Sequence, residues 1–76
     1  MHTLNDLRQA GQRGLILDVT GDDAVSVRLM EMGLTEGADI ELIGFAPLGD
    51  PVEFRIRGYR LSLRKAEASR VTIDLI

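Results

Sequence analysis

Hydrophobic and polar residues alternate with period two in five stretches of the chain. The phase of each alternation predicts which side chains face a core. Leu15-Ile16-Leu17-Asp18-Val19-Thr20 is the first, with Leu15, Leu17 and Val19 expected on one face and Gly21 ending it. Residues Ala38 to Ala46 form the second, with Ile40 and Leu42 on one face and Asp39 and Glu41 on the other. Ile43 and Phe45 fall on that second face too, so its far end is expected to be covered. Val52-Glu53-Phe54-Arg55-Ile56-Arg57 and Tyr59-Arg60-Leu61-Ser62-Leu63-Arg64 alternate on either side of Gly58. They predict a tight hairpin with Val52, Phe54, Ile56, Tyr59, Leu61 and Leu63 facing in. Val71, Ile73 and Leu75 give the last strand, after one helical or 3₁₀ turn over Lys65 to Ser69.

Between the first two strands the period changes. Residues 23 to 32 read as a helix, with Asp22 or Asp23 as N-cap and Gly33 as the C′ residue. Counting back from Gly33, Leu29 and Leu34 are the apolar pair of a Schellman ending. At about 100° per residue, Val25, Leu29 and Met32 share a stripe about 60° wide, enough to dock the helix. Val27 and Met30 lie roughly 100° or more from that stripe, so the helix carries surplus apolar surface. They either pack under a neighbouring loop or the N-terminal arm, or meet a partner; methionine suits an adaptable interface.

Five short strands must close on each other to hide their edges. The expected fold is mainly β: an SH3-like barrel of five strands with one inserted helix and a short turn before the last strand. A five-stranded OB-type barrel is the alternative. Seventy-six residues allow one domain, residues 1–76, and an apolar fraction of 45% suits a packed core. The N-terminal residues read as a segment that frays. No basic and apolar leader is present, and no apolar run approaches the roughly 20 residues that span a bilayer.

The residue types exclude most chemistry. There is no cysteine, so disulfides, thiolate metal sites and cysteine nucleophiles are absent. His2 is the only histidine, which leaves no Ser–His arrangement and no two-histidine iron site. The eight glycines stand singly at turns rather than in a phosphate-binding loop. An enzyme is not expected, nor a cofactor, catalytic residue or specific metal ligand set. A net charge of −3 argues against nucleic acid. The charge is nevertheless segregated. Asp18, Asp22, Asp23, Glu31, Glu36, Asp39 and Glu41 stand against Arg28 alone over residues 18–41. Arg55, Arg57, Arg60, Arg64, Lys65 and Arg70 stand against Glu67 alone over residues 55–70. The two blocks either attract each other within the fold or form a charged docking surface.

The loop Pro47-Leu48-Gly49-Asp50-Pro51 is bracketed by prolines, which fix φ and reduce the entropy lost on binding. Leu48 at its centre is either tucked over one end of the barrel or presented outward. Candidate partner-binding residues are therefore Val27, Leu29 and Met30 on the helix, Pro47, Leu48, Gly49, Asp50 and Pro51 in the loop, and Arg55, Arg57 and Arg60 on the hairpin.

Three segments carry a resemblance. Residues Arg28 to Gly37, the loop Ala46-Pro47-Leu48-Gly49-Asp50-Pro51, and Arg57-Gly58-Tyr59-Arg60-Leu61-Ser62-Leu63-Arg64 resemble successive motifs of the FeoA family. The likeness runs from about residue 13 to residue 73. It implies an SH3-like fold, a cytoplasmic location and a part in bacterial ferrous-iron uptake. FeoA-like domains also end iron-dependent repressors. This chain has no helix-turn-helix or metal-binding domain, so it reads as the stand-alone type.

The resemblance implies an accessory or regulatory protein that binds the FeoB transporter, at its cytoplasmic G-protein or membrane portion, and sits at the inner membrane through that partner. Weak self-association is a further expectation. The alternative is a cytoplasmic transition-metal sensor or chaperone, since the family is associated with metal binding. A third reading, an arginine supplied by Arg57 or Arg60 to assist GTP hydrolysis, stands behind both.

Overall fold

The alternating stretches pair into one antiparallel sheet in a computed structural model that describes residues 1–76. The elements are β1 (His2–Thr3), a 3₁₀ turn (Leu4–Asp6), β2 (Arg13–Val19), α1 (Ala24–Glu31), β3 (Asp39–Phe45), β4 (Val52–Ile56), β5 (Tyr59–Leu63), α2 (Lys65–Ala68) and β6 (Val71–Leu75). Strand order across the sheet is β1-β6-β2-β3-β4-β5. The sheet curls around a core in which Ile16, Leu29, Leu34, Ile40, Leu42, Phe54, Ile56, Leu63, Val71 and Ile73 are almost fully buried. Burying each such side chain is worth roughly 1.5–3 kcal/mol.

The sheet has six strands rather than five. The N-terminal residues do not fray: His2 and Thr3 pair with Ile73 and Thr72. The turn that follows buries Leu4 and Leu7. Its start is a reciprocal cap, in which the Asn5 amide donates to Thr3 Oγ1 (3.3 Å) and the Thr3 amide to Asp6 Oδ2 (2.8 Å). The Thr3 amide holds the Asp6 carboxyl below its ordinary pKa. The spacing Thr3-x-x-Asp6 is the sequence signal for this turn.

The phase expected for the first strand is reversed over most of its length. Ile16 is fully buried, whereas Leu15 and Leu17 are 37% and 39% exposed. Leu15-Ile16-Leu17 is apolar at three consecutive positions, so alternation alone does not fix its phase. A bulge between Ile16 and Asp18 then adds a residue against β6 and returns Val19 to the core. Gly14 faces inward with Ile16. A Cβ there would lie 2.6 Å from Ile73 Cδ1 and 3.2 Å from the Asp74 carbonyl, so a side chain at this position would make the Ile73 tip and β6 shift.

Three other apolar residues expected inside are half-exposed. Leu75 lies opposite Gly14, where no side chain meets it. Phe45 lies past a second bulge, between Leu42 and Gly44 of β3, which turns it from the Asp39/Glu41 face to the face of buried Val52 on β4, yet it remains half-exposed there and the far end of the strand is not covered. Tyr59 sits at the hairpin tip, beyond the core.

The helix follows its sequence signals closely. Asp23 caps it by accepting from the Ser26 amide (3.2 Å), and the Ser26 hydroxyl donates back to the Asp23 carbonyl (2.8 Å). At the other end the Leu34 amide donates to the Leu29 carbonyl (3.2 Å) and the Gly33 amide to the Met30 carbonyl (3.0 Å). With Gly33 at φ +99°, this is the Schellman ending that the Leu29/Leu34 pair predicted, and both leucines are fully buried.

Candidate partner-binding surface

The hairpin between β4 and β5 turns through Arg57 and Gly58, both at positive φ (51° and 84°), as a type I′ turn requires. An arginine in that region costs about 1–2 kcal/mol. Its side chain offsets the strain. Arg57 Nε donates to the Gly33 carbonyl (3.3 Å) and Nη2 to Thr35 Oγ1 (2.7 Å). The neighbouring Tyr59 hydroxyl donates to the Met32 carbonyl. Two side chains from one hairpin thus cap the exposed carbonyls at the C-terminus of α1, where the helix dipole favours a cation. Arg57 is committed to the fold.

Arg55 and Arg60 are placed differently. They stand opposite each other on β4 and β5, in a row of charges that crosses four strands: Arg13, Glu41, Arg55, Arg60. Arg13 pairs diagonally with Asp39, Arg55 with Glu41 at 3.6 Å, and Arg60 with Glu53 at 3.9 Å. The Arg13 guanidinium holds the Asp39 carboxyl below its ordinary range. Elsewhere Arg70 pairs with Asp23 at 2.6 Å, and Arg28 with Glu67. The Arg70 guanidinium, with help from the Ser26 amide, holds Asp23 down to about 2. The acidic and basic blocks of the sequence therefore meet in part, through Asp23–Arg70, Glu41–Arg55 and Arg28–Glu67, while Asp18, Asp22, Glu31, Glu36, Arg64 and Lys65 enter no ion pair. Exposed pairs of this kind contribute about 0–1 kcal/mol each.

The proline-bracketed loop is held at its base and open at its tip. The Ala46 amide donates to the Pro51 carbonyl (3.0 Å), the Gly49 amide to the Ala46 carbonyl (2.7 Å), and the Lys65 amide to Asp50 Oδ1 (3.0 Å). Leu48 is 97% exposed. Next to the loop runs a groove of about 490 Å³ lined by Leu4, Leu7, Phe45 and Val52, together with Asn5, Arg8 and Lys65. Neither Arg8 nor Lys65 enters an ion pair. Phe45, Arg8 and Lys65 are not among the candidates of the sequence analysis, because the β3 bulge that brings Phe45 beside Val52 has no local signal.

On the helix the three candidates separate. Val27 and Met30 are 48% and 42% exposed, whereas Leu29 is in the core and has no surface to offer. Its place in the docking stripe and the Schellman pair decides this, since one side chain cannot serve both faces. No three of the His, Asp and Glu side chains converge as a metal ligand set would. No helix is long and apolar enough to cross a membrane.

A six-stranded curled sheet with a helix after its second strand and a short helical turn before its last is an SH3-like barrel. The FeoA domain family model matches residues 2–75, and the chain belongs to that family. The solution structure of FeoA from Chlorobium tepidum is 37% identical, with a TM-score of 0.87 over 99% of this chain and 70% of that one. FeoA from Stenotrophomonas maltophilia, solved with zinc and described as a prokaryotic SH3 domain protein, is 28% identical. Its TM-score is 0.84, over 97% of this chain and 91% of that one. A curated relative from Porphyromonas gingivalis, an Fe(2+) transport protein A/Fe(2+) transporter FeoB fusion protein, is 38% identical over 66 residues. Those residues are 87% of this chain but 8% of that protein's length.

Proposed function

We propose that this chain is an accessory protein of bacterial ferrous-iron uptake that works by binding a FeoB-type transporter from the cytoplasmic side. The observation that carries the reading is the fused relative, in which an FeoA segment and FeoB share one polypeptide. A covalent link between two domains raises their local concentration and is useful when the two must meet. Binding of this kind needs no chemistry; it favours one state of the transporter by differential affinity.

Two patches fit the role. Leu48 stands out from a loop whose base is hydrogen-bonded, so little entropy is lost when it docks. Val27 and Met30 add an exposed apolar pair on α1. Arg57 is not among the contact residues in this reading, because its guanidinium is already used in capping α1.

The test is copurification of the chain with the FeoB-type transporter of the same organism in detergent. Leu48→Asp and Met30→Asp are compared with the parent after circular dichroism has established their fold. At least one variant is expected to weaken association by about tenfold or more. Parent-level association and iron uptake in both variants would place the interface elsewhere. No association of the parent chain would overturn the reading.

A further inference from the structure

The two edges of the sheet are unequal. The edge at β1 is two residues long, whereas the edge at β5 runs for five, with no proline and no bulge. Strand β5 pairs on one side only, with β4. Ile56 and Tyr59 close a two-residue turn, so they are a hydrogen-bonded pair. By alternation, Arg60 and Ser62 direct their backbone N–H and C=O groups away from β4. No hydrogen bond from a turn, loop, cap or side chain reaches the backbone groups of either residue, and both residues are exposed.

We propose that this edge accepts an extended acidic segment of a partner as a seventh strand. The charge row supports that occupant. Across the sheet it reads Arg13, Glu41, Arg55, Arg60, so two cations lie side by side at the open end. Arg60 is relieved only by a diagonal Glu53 at 3.9 Å. Arg64 follows on the same face two residues beyond Ser62, exposed and in no ion pair. A strand laid along β5 with acids opposite Arg60 and Arg64 continues the alternation of charge and satisfies the free backbone groups. A second copy of this chain suits the edge less well, because its β5, Tyr59-Arg60-Leu61-Ser62-Leu63, carries no acid to set against Arg60, and antiparallel self-pairing centred on Ser62 would set Arg60 against Arg64. The inference is independent of the proposed function, since it uses neither Leu48 nor α1.

The test uses two eight-residue peptides, one alternating glutamate with valine and one alternating lysine with valine, titrated into the isotope-labelled full chain. The glutamate peptide is expected to shift the Arg60 and Ser62 amides and slow their exchange, with an affinity that falls as salt rises. The lysine peptide is expected to have no effect there. Ser62→Pro removes an outward N–H that the β4 ladder does not use, so an edge strand tolerates it, and it is expected to abolish binding. Arg60→Glu keeps every backbone group and is expected to weaken the glutamate peptide at least about tenfold. Equal response to both peptides, no response at β5, or concentration-dependent protection of these amides without peptide would each overturn the proposal.

Discussion

The two turns that stand out in the sequence, Arg57-Gly58 and Pro47 to Pro51, are both rigid, yet they serve opposite ends. The hairpin tip reaches inward. Arg57 and Tyr59 hand their polar groups to the carbonyls that close α1, so the tip acts as part of the helix. The proline loop satisfies its own backbone at its base and turns Leu48 out. Local sequence signals rigidity equally in both. Only the direction of the side chains separates a turn that holds the fold from one that is free to meet another molecule. An arginine at a tip is thus no better evidence of a docking site than a leucine; what matters is whether its donors are already taken.

The largest test of this division lies on the helix that the hairpin tip caps. Leu29→Ala should remove about 2–5 kcal/mol of unfolding free energy, because it opens a cavity in a closed core. Met30→Ala, one residue on, should change stability by less than about 0.5 kcal/mol. Chemical denaturation of both variants measures the difference. Similar losses would mean that Met30 is also structural and would remove it from the contact surface.

Gly33 comes next. It is at φ +99°, and a Cβ there would lie 2.7 Å from the Tyr59 hydroxyl. Gly33→Ala should destabilise by about 1–3 kcal/mol. Tyr59→Phe, which removes only the hydroxyl bond, should destabilise by about 1 kcal/mol. The two are coupled through one contact, so the double variant should lose less than the sum of the single losses. Strict additivity, read from the same denaturation curves, would show that the hairpin tip does not bear on the helix end.

These outcomes bear on what was legible in the chain. Capping glycines, N-cap aspartates and the Leu29/Leu34 pair are local signals, and the helix matches them to within a residue at each end. The hairpin was equally legible, because Val52, Phe54 and Ile56 alternate without ambiguity. The phase of β2 was not. Three apolar residues in a row leave either face available, and the bulge that decides between them is set by pairing with β6, more than fifty residues away. The use of Arg57 was hidden for the same reason, since its acceptors, Gly33 and Thr35, lie on another element. The charged blocks were legible but not their partners, since Glu41 meets Arg55 through strand register and Asp23 meets Arg70 from 47 residues away. Nothing local decides the direction of Leu48, which depends on the hydrogen bonds that hold the base of its loop.

A smaller effect follows from pH at the start of α1. The Asp23 carboxyl is held from an ordinary 3.8 down to about 2, chiefly by Arg70 and next by the Ser26 amide. A depressed carboxylate contributes stability that is fully present above its unfolded pKa and is lost as pH falls through its folded one. The contribution should thus be constant above about pH 5 and fade between about pH 4 and 2. Asp23→Asn keeps an acceptor for the cap and discards the ion pair with Arg70. Melting temperatures of parent and variant should differ by a fixed small amount near neutrality and converge on acidification. A gap that widens as pH falls would show that the pair is not what stabilises this end of the helix.

The smallest expected effect on stability falls on Leu48, and it bears most directly on the comparison. A side chain 97% exposed has no packing to lose, and the hydrogen bonds of its loop come from Ala46, Gly49, Pro51 and Asp50 rather than from its own side chain. Leu48→Asp should therefore leave the unfolding free energy within about 0.5 kcal/mol of the parent. Arg57→Ala, at the other turn, should cost about 1–2 kcal/mol through two lost hydrogen bonds. Read side by side in one denaturation series, the pair isolates direction from rigidity. If Leu48→Asp destabilises as much as Arg57→Ala, the proline loop is a structural clasp like the hairpin tip. Only if the two differ is Leu48 an apolar residue held outward with no fold to serve, which is what its proposed contact role requires.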